Sequence, residues 1–166
     1  MFELKRLTAA GIPAALEKAE QYRLLNQPWA AESICWDIAA AESGNQAALR
    51  TRLLAQTDQF SGDMGAVRRA RESLAGLTSP YERAYYAGLI CERLAKAELD
   101  HHAPGARFAA YEELREAMDH YAKAETIRPA GDDDAILRWN TCARLLNQSP
   151  HLAPREEEPR EPVIGD

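Results

Sequence analysis

An all-α fold is what this sequence predicts, on three observations. Apolar residues recur three and four positions apart along nearly the whole chain, the spacing of a helix face. Strand-like alternation is nearly absent. Proline, glycine, serine, asparagine and aspartate gather at the places where such helices would stop and restart.

The first helix is expected over 13–25, with Ala15, Ala19 and Tyr22 on one stripe. Asn26-Gln27-Pro28 follows, and because proline suits a first helical turn, a second helix runs over 29–42 with Ala31, Ile34, Cys35 and Ile38 inward. Ser43-Gly44-Asn45 ends it. The third, 46–60, carries Leu49, Leu53 and Phe60. Ser61-Gly62-Asp63 breaks the period and supplies an N-cap for a fourth over 64–77, whose core face is Ala70, Leu74 and Leu77. Ser79-Pro80-Tyr81-Glu82 has the order of a capping box and starts a fifth over 80–99. Residues 100–105 read as a loop. A sixth helix over 107–127 turns Phe108, Tyr111, Leu114, Met118, Tyr121 and Ala124 inward, and Pro129-Ala130-Gly131 stops it. Asp132, Asp133 and Asp134 then offer a cap and negative charge to the positive end of a seventh over 135–146.

With 166 residues, 46% of them hydrophobic, the chain can bury one sizeable core, which excludes disorder throughout. The expected divisions are an N-terminal segment 1–11, a helical domain 12–146, and a disordered tail 147–166 rich in proline and glutamate. A net charge of −6 argues against a nucleic-acid or anionic-membrane binder, since such proteins carry a basic surplus. The one basic cluster, Arg68, Arg69 and Arg71, reads as a solvated face offset by Glu72 and Asp63. The longest apolar run, 84–91, is far short of the ~20 residues that span a membrane. Glu3, Pro13 and Glu17 interrupt the N-terminal apolar stretch, so no signal peptide is expected and the protein reads as cytoplasmic. Cys35, Cys91 and Cys142 are too widely spaced for a disulfide framework and read as core.

Helix pairs joined by short turns prompt a search for a period of about 34 residues. Ala19, Tyr22, Ala31, Cys35, Ile38 and Ser43 in the first pair follow a pattern of small and large residues at set intervals. In the sixth helix, Ala117, Tyr121, Ala124 and Pro129 fall four, three and five apart, and Ala87, Gly88 and Cys91 precede them in the fifth. The middle pair is poorer: Leu49 and Leu53 fit, as do Ala70, Leu74 and Leu77, with a register shift at Ser61-Gly62-Asp63 between them. In these spacings residues 12–146 resemble the tetratricopeptide repeat (TPR) family. The resemblance implies a right-handed superhelix of about three antiparallel helix pairs plus a C-terminal capping helix, with a concave groove. The physics is separate from the family: small residues such as Ala19, Ala31, Gly88 and Ala117 let helices approach, while Tyr22, Leu74 and Tyr121 fill the gaps between pairs. An irregular helical bundle is the alternative.

In that family the first helix of each pair lines the groove. Carried across, this implies Leu16, Glu20, Arg23 and Leu24 from the first pair and Arg50, Leu54, Thr57 and Asp58 from the second. The third pair gives Glu82, Tyr85, Leu89, Glu92 and Arg93, and the final helix adds Asn140 and Arg144. Such a surface suits an extended or helical segment of another protein. For Arg50, Arg93 and Arg144 the competing reading is an intramolecular ion pair or ordinary surface. A subset of the family grips a chaperone's C-terminal carboxylate, but Leu16, Glu20, Thr51, Glu82 and Tyr86 occupy the clamp positions here, so that recognition is not implied. Trp29 and Trp36 share a face of the second helix away from its core stripe. One of them is either an exposed anchor for a partner or second subunit, or packing for residues 1–7. Trp139 reads as core.

Enzyme chemistry needs convergent groups, and His101, His102, His120 and Asp100 are the only beginning of a set. Cys91 and His120 flank the histidine pair on neighbouring helices, yet no His-x-x-x-His or Cys-x-x-Cys spacing is present, and consecutive loop histidines point apart. No phosphate loop, nucleophile elbow or metalloprotease helix occurs. The expectation is a non-catalytic adaptor or scaffold with no cofactor and no metal, its partner another protein. A self-assembling homo-oligomer is the alternative, and a metal-dependent activity at His101 and His102 the remote one.

Overall fold

Four of the helix starts are fixed by a side-chain acceptor. Asn45 Oδ1 accepts the Ala48 N–H at 2.9 Å, and Asp63 Oδ1 accepts the Gly65 N–H at 2.8 Å. Ser79 Oγ accepts the Glu82 N–H at 3.2 Å with Pro80 in the first turn, and Asp132 Oδ1 accepts the Asp134 N–H at 3.0 Å. Each satisfies a donor that a helix N-terminus leaves open. The capping box at Ser79 is half formed, because the Glu82 carboxylate takes a charged donor, Arg50 Nη1 at 3.0 Å.

The computed structural model describes residues 1–154, and among these it is all-helical. A 3-10 turn, Ala9–Gly11, leads into α1 (Ile12–Leu24), α2 (Pro28–Ala41), α3 (Gln46–Thr57) and α4 (Gly65–Ala75). Then come α5 (Pro80–His101), α6 (Ala106–Thr126) and α7 (Asp134–Gln148). No helix among the described residues is long and apolar enough to cross a membrane. The helical domain continues past 146: α7 runs to Gln148, and Leu152 is buried against α5–α7. The remainder of the expected tail, 155–166, lies outside the described residues.

Each helix packs on its neighbours in sequence, and α3 also packs on α1 and α5. The apolar interior is divided accordingly. Ile12, Ile38 and Ala48 form one cluster and Ala19, Ala31, Cys35 and Ala55 another, both shared by α1, α2 and α3. Leu53, Val67, Ala70, Ile90 and Leu94 join α3, α4 and α5, with Phe60 and Leu77 from the turns. Cys91, Leu114, Ala117, Tyr121 and Cys142 join α5, α6 and α7. Helix α3 therefore serves three of these clusters and α5 two. The closest approach is at Gly88, where a Cβ would stand 2.8 Å from the Tyr121 ring and 3.1 Å from the Ala117 carbonyl oxygen.

Three cysteines are core residues as expected, free and buried, and burial pushes each thiol up to about 12. Two aromatic expectations fail. Phe108, in the first turn of α6, is 38% exposed because Ala106 and Ala110 form the inward face there. Trp139 is 37% exposed because the inward stripe of α7 runs through Ala135 and Cys142.

A polar network lies among α2, α3 and α4. Glu32 accepts from Gln56 Nε2 at 2.9 Å, Gln59 Nε2 at 2.8 Å and Arg69 Nε at 2.9 Å. Ser73 Oγ donates to Gln56 Oε1 at 2.8 Å and accepts from Arg52 Nε at 3.0 Å. Burial pushes the Glu32 carboxyl up, but the hydrogen bonds from Arg69, Gln56 and Gln59 outweigh it and hold the group below its usual value. Buried polar groups of this kind are tolerable because they satisfy one another.

Candidate functional site

Arginine and aspartate near the C-terminal ends of α1 and α3 and within α5 face a common side, and they pair across it. Asp58, the residue after α3, accepts Arg23 Nε at 2.6 Å through Oδ2 and Arg93 Nη1 at 2.9 Å through Oδ1. Arg23, Asp58 and Arg93 are spaced 35 residues apart, on α1, just after α3 and on α5 in turn. Arg50 Nη1 and Glu82 join α3 to α5 at 3.0 Å. Glu92 joins α5 to the last two helices, accepting Tyr121 Oη at 2.6 Å and Arg138 Nη1 at 3.1 Å. Burial, then the adjacent Glu92 carboxylate, pushes the Tyr121 phenol up, so it stays a donor. Burial pulls Arg138 down, and Glu92 and Tyr85 more than restore it, so it stays charged.

Two clefts open over the pairs of Asp58 and Glu92. One, of about 420 Å³, is lined by Arg23, Leu24, Asn26, Thr57, Asp58, Phe60, Ser61, Arg93, Lys96 and Asp100. The other, of about 520 Å³, is lined by Glu92, Arg93, Ala95, Lys96, Leu99, Asp100, Leu114, Arg138 and Leu145. They share Arg93, Lys96 and Asp100 and so lie side by side across α1, α3, α5 and α7. Arg23, Arg93, Lys96 and Arg138 face Asp58, Glu92 and Asp100, four cations against three carboxylates. The cleft carries a positive excess in a chain whose net charge is −6.

Of the residues assigned to a groove from sequence, Arg23, Leu24, Thr57, Asp58, Glu92 and Arg93 line these clefts. Arg50 stands apart from the clefts in its pair with Glu82, so Arg50 and Arg93 both meet the ion-pair reading. Glu20 is exposed on α1, Asn140 is half-buried, and Arg144 is exposed on α7; none lines either cleft. Leu89 is a correction: it is 1% exposed, on the inward side of α5 between Gly88 and Ile90, and cannot meet a partner. Tyr85 is half-buried among Tyr81, Tyr86 and Tyr121, with ring centroids 5.1–6.0 Å away.

Lys96, Asp100, Arg138 and Leu145 were missed. Lys96 and Asp100 continue the Glu92 face of α5 by one and two turns. The repeat projection stopped short of them because α5, at 22 residues, outruns a standard first helix. Arg138 was legible as the cation that a buried acceptor on α5 needs, and Leu145 as an apolar residue off the inward stripe of α7.

Both tryptophans of α2 are exposed, Trp29 at 68% and Trp36 at 49%, and the Arg52 guanidinium lies over the Trp36 ring at 3.9 Å. Packing by the N-terminus is not what covers them, since Met1, Phe2 and Leu4 are themselves exposed. Arg68, exposed and paired with Glu72 at 2.6 Å, fits the solvated-face reading, whereas Arg69 departs from it: half-buried, it pairs with Asp63 at 3.0 Å and reaches inward to the buried Glu32 at 2.9 Å. His101 and His102 stand exposed at the end of α5, about three turns beyond Cys91, and form no cluster with it. Compared with known proteins, the chain matches no protein-family model, no curated protein and no solved structure.

Proposed function

We propose that this chain is a non-catalytic, TPR-like adaptor that holds a segment of another protein in the cleft across α1, α3, α5 and α7. The observation that carries this reading is the two adjoining clefts over a floor of fixed ion pairs. The 35-residue spacing of Arg23, Asp58 and Arg93 and the cores shared between successive pairs support a repeat that stacks into a superhelix. A floor held by salt bridges is preorganised, which lowers the ordering cost of binding. Lys96 and the cationic excess favour a segment bearing carboxylates, and Leu24, Leu99 and Leu145 offer it aliphatic anchoring. Buried free thiols suit a reducing compartment, in keeping with a cytoplasmic role.

Charge reversal of Arg93 would break the cleft's own pairing, so the test uses residues that line it without bracing it. A photo-crosslinking residue at Lys96 identifies the partner, and the purified partner is then titrated calorimetrically. Lys96→Glu and Leu145→Asp are each expected to weaken binding about tenfold or more, while Arg68→Glu leaves it unchanged. Equal affinity across all three variants would overturn the reading.

The exposure of Trp29 and Trp36 favours a second reading, self-assembly through α2 into a homo-oligomer. Light scattering after size exclusion decides it: this reading requires a mass that rises with concentration and falls back in Trp29→Glu. A monomer at every concentration removes it.

A further inference from the structure

Outside the cleft, on the seam between α5 and α6, the fold gathers three different metal-ligand types. Cys91 on α5 meets Glu116 and His120 on α6, with one donor atom from each within 4.8 Å of the others. His120 Nε2 and Glu116 Oε1 are 3.6 Å apart, close to the ~3.3–3.7 Å between ligands that bond lengths of about 2.0–2.3 Å give around a tetrahedral zinc ion. The two α6 residues are four apart and so share a face, which is turned toward Cys91. A second observation points the same way: Glu113 Oε2, one turn earlier on that face, is a buried side-chain oxygen without a hydrogen-bond partner. The seam is therefore rich in electron-pair donors, with Arg71 the cation that acts on both Cys91 and Glu113.

We propose that Cys91, Glu116 and His120 form a zinc-class divalent metal site that ties α5 to α6. One thiolate, one imidazole and one carboxylate are a borderline set that suits Zn2+ over Mg2+ or Ca2+, which take all-oxygen ligands. On binding, the metal replaces the thiol proton, which leaves to solvent, and the sulfur–metal bond forms without any redox change. The buried Sγ, with Cys91 only 5% exposed, is reached from the surface past the side chains of Glu116 and His120, which are 61% and 26% exposed. None of the three lines the charged cleft, so the site stands whether or not the adaptor reading does.

Cobalt(II) is the probe, titrated into reduced, metal-free full-length protein near neutral pH. A site of this kind gives one-to-one binding with a thiolate-to-cobalt charge-transfer band in the near ultraviolet and tetrahedral visible bands, all displaced by Zn2+. The charge-transfer band should vanish in Cys91→Ser and persist in Cys35→Ser and Cys142→Ser. Because Cys91→Ser alters the interior, the half-exposed His120→Gln is measured beside it and should weaken cobalt binding at least tenfold. Absence of the band in the unaltered protein, its survival in Cys91→Ser, or an unchanged affinity in His120→Gln would each overturn the site.

Discussion

Replacing Glu32 by alanine is expected to lower folding stability by about 3 kcal/mol near neutral pH, read as a fall in the urea midpoint at constant slope. The carboxylate is 8% exposed and accepts from three side chains. Removing it leaves the Gln56 amide, itself 0% exposed, without its acceptor in a place water does not reach. Arg69 keeps Asp63, and its partial exposure lets it turn toward water, which holds the cost to the low end for a broken buried charge. The pH dependence has a definite sign. Glu32 lies below its usual 4.5 in the folded protein, so its contribution is complete above that value and is lost as pH falls through the folded pKa. The gap between the parent protein and Glu32→Ala should accordingly narrow on acidification below about 4.5. A loss under 1 kcal/mol near neutrality, or a gap that widens in acid, would contradict the network as described.

That network also marks where the sequence stops being readable. Helices α1, α2, α4, α5, α6 and α7 begin and end within two residues of their expected limits, because proline, serine, asparagine and aspartate mark most of their ends by direct chemistry. Their apolar stripes are legible because each has a solvent side to contrast with. Helix α3 does not, since α1, α2, α4 and α5 all pack on it. Thr51, Arg52, Gln56 and Thr57 are buried on it beside Leu53 and Ala55, so burial there is not the privilege of one stripe. Periodicity assigns such polar residues to solvent, and only the partner helices reveal that Gln56 bridges Glu32 and Ser73.

The candidate cleft divides in a similar way. Arg23, Asp58 and Arg93 were legible because an interval of 35 residues, close to the period of about 34, carries each to the same side of the next odd-numbered helix or its C-terminal end. Leu89 was misassigned because the same projection ignores how far α5 is wrapped by its neighbours; beside Gly88, where α6 comes closest, no side chain stays outside. The pairing of Cys91 with His120 depends on the register of α5 against α6, and that register is set by the fit of Tyr121 onto Gly88. Local sequence does not carry it.

The fit itself can be tested by a reversal of sign. Tyr121→Ala should cost about 4 kcal/mol, since the ring is 0% exposed and its removal leaves a cavity in the α5–α7 core and takes a hydrogen bond from Glu92. Gly88→Ala in the parent protein should cost about 2 kcal/mol, because the new methyl meets the ring at 2.8 Å and the rigid Ala117 carbonyl at 3.1 Å, and this exceeds the roughly 1 kcal/mol that alanine gains over glycine in a helix. Once Tyr121 is alanine the ring is gone, and the helix preference is left facing only the milder carbonyl contact. In that background Gly88→Ala should become neutral or stabilising, an interaction energy of about 2 kcal/mol in a double-mutant cycle. Additive effects would mean that the glycine is not there for the tyrosine, and the close approach of α5 and α6 would need another cause.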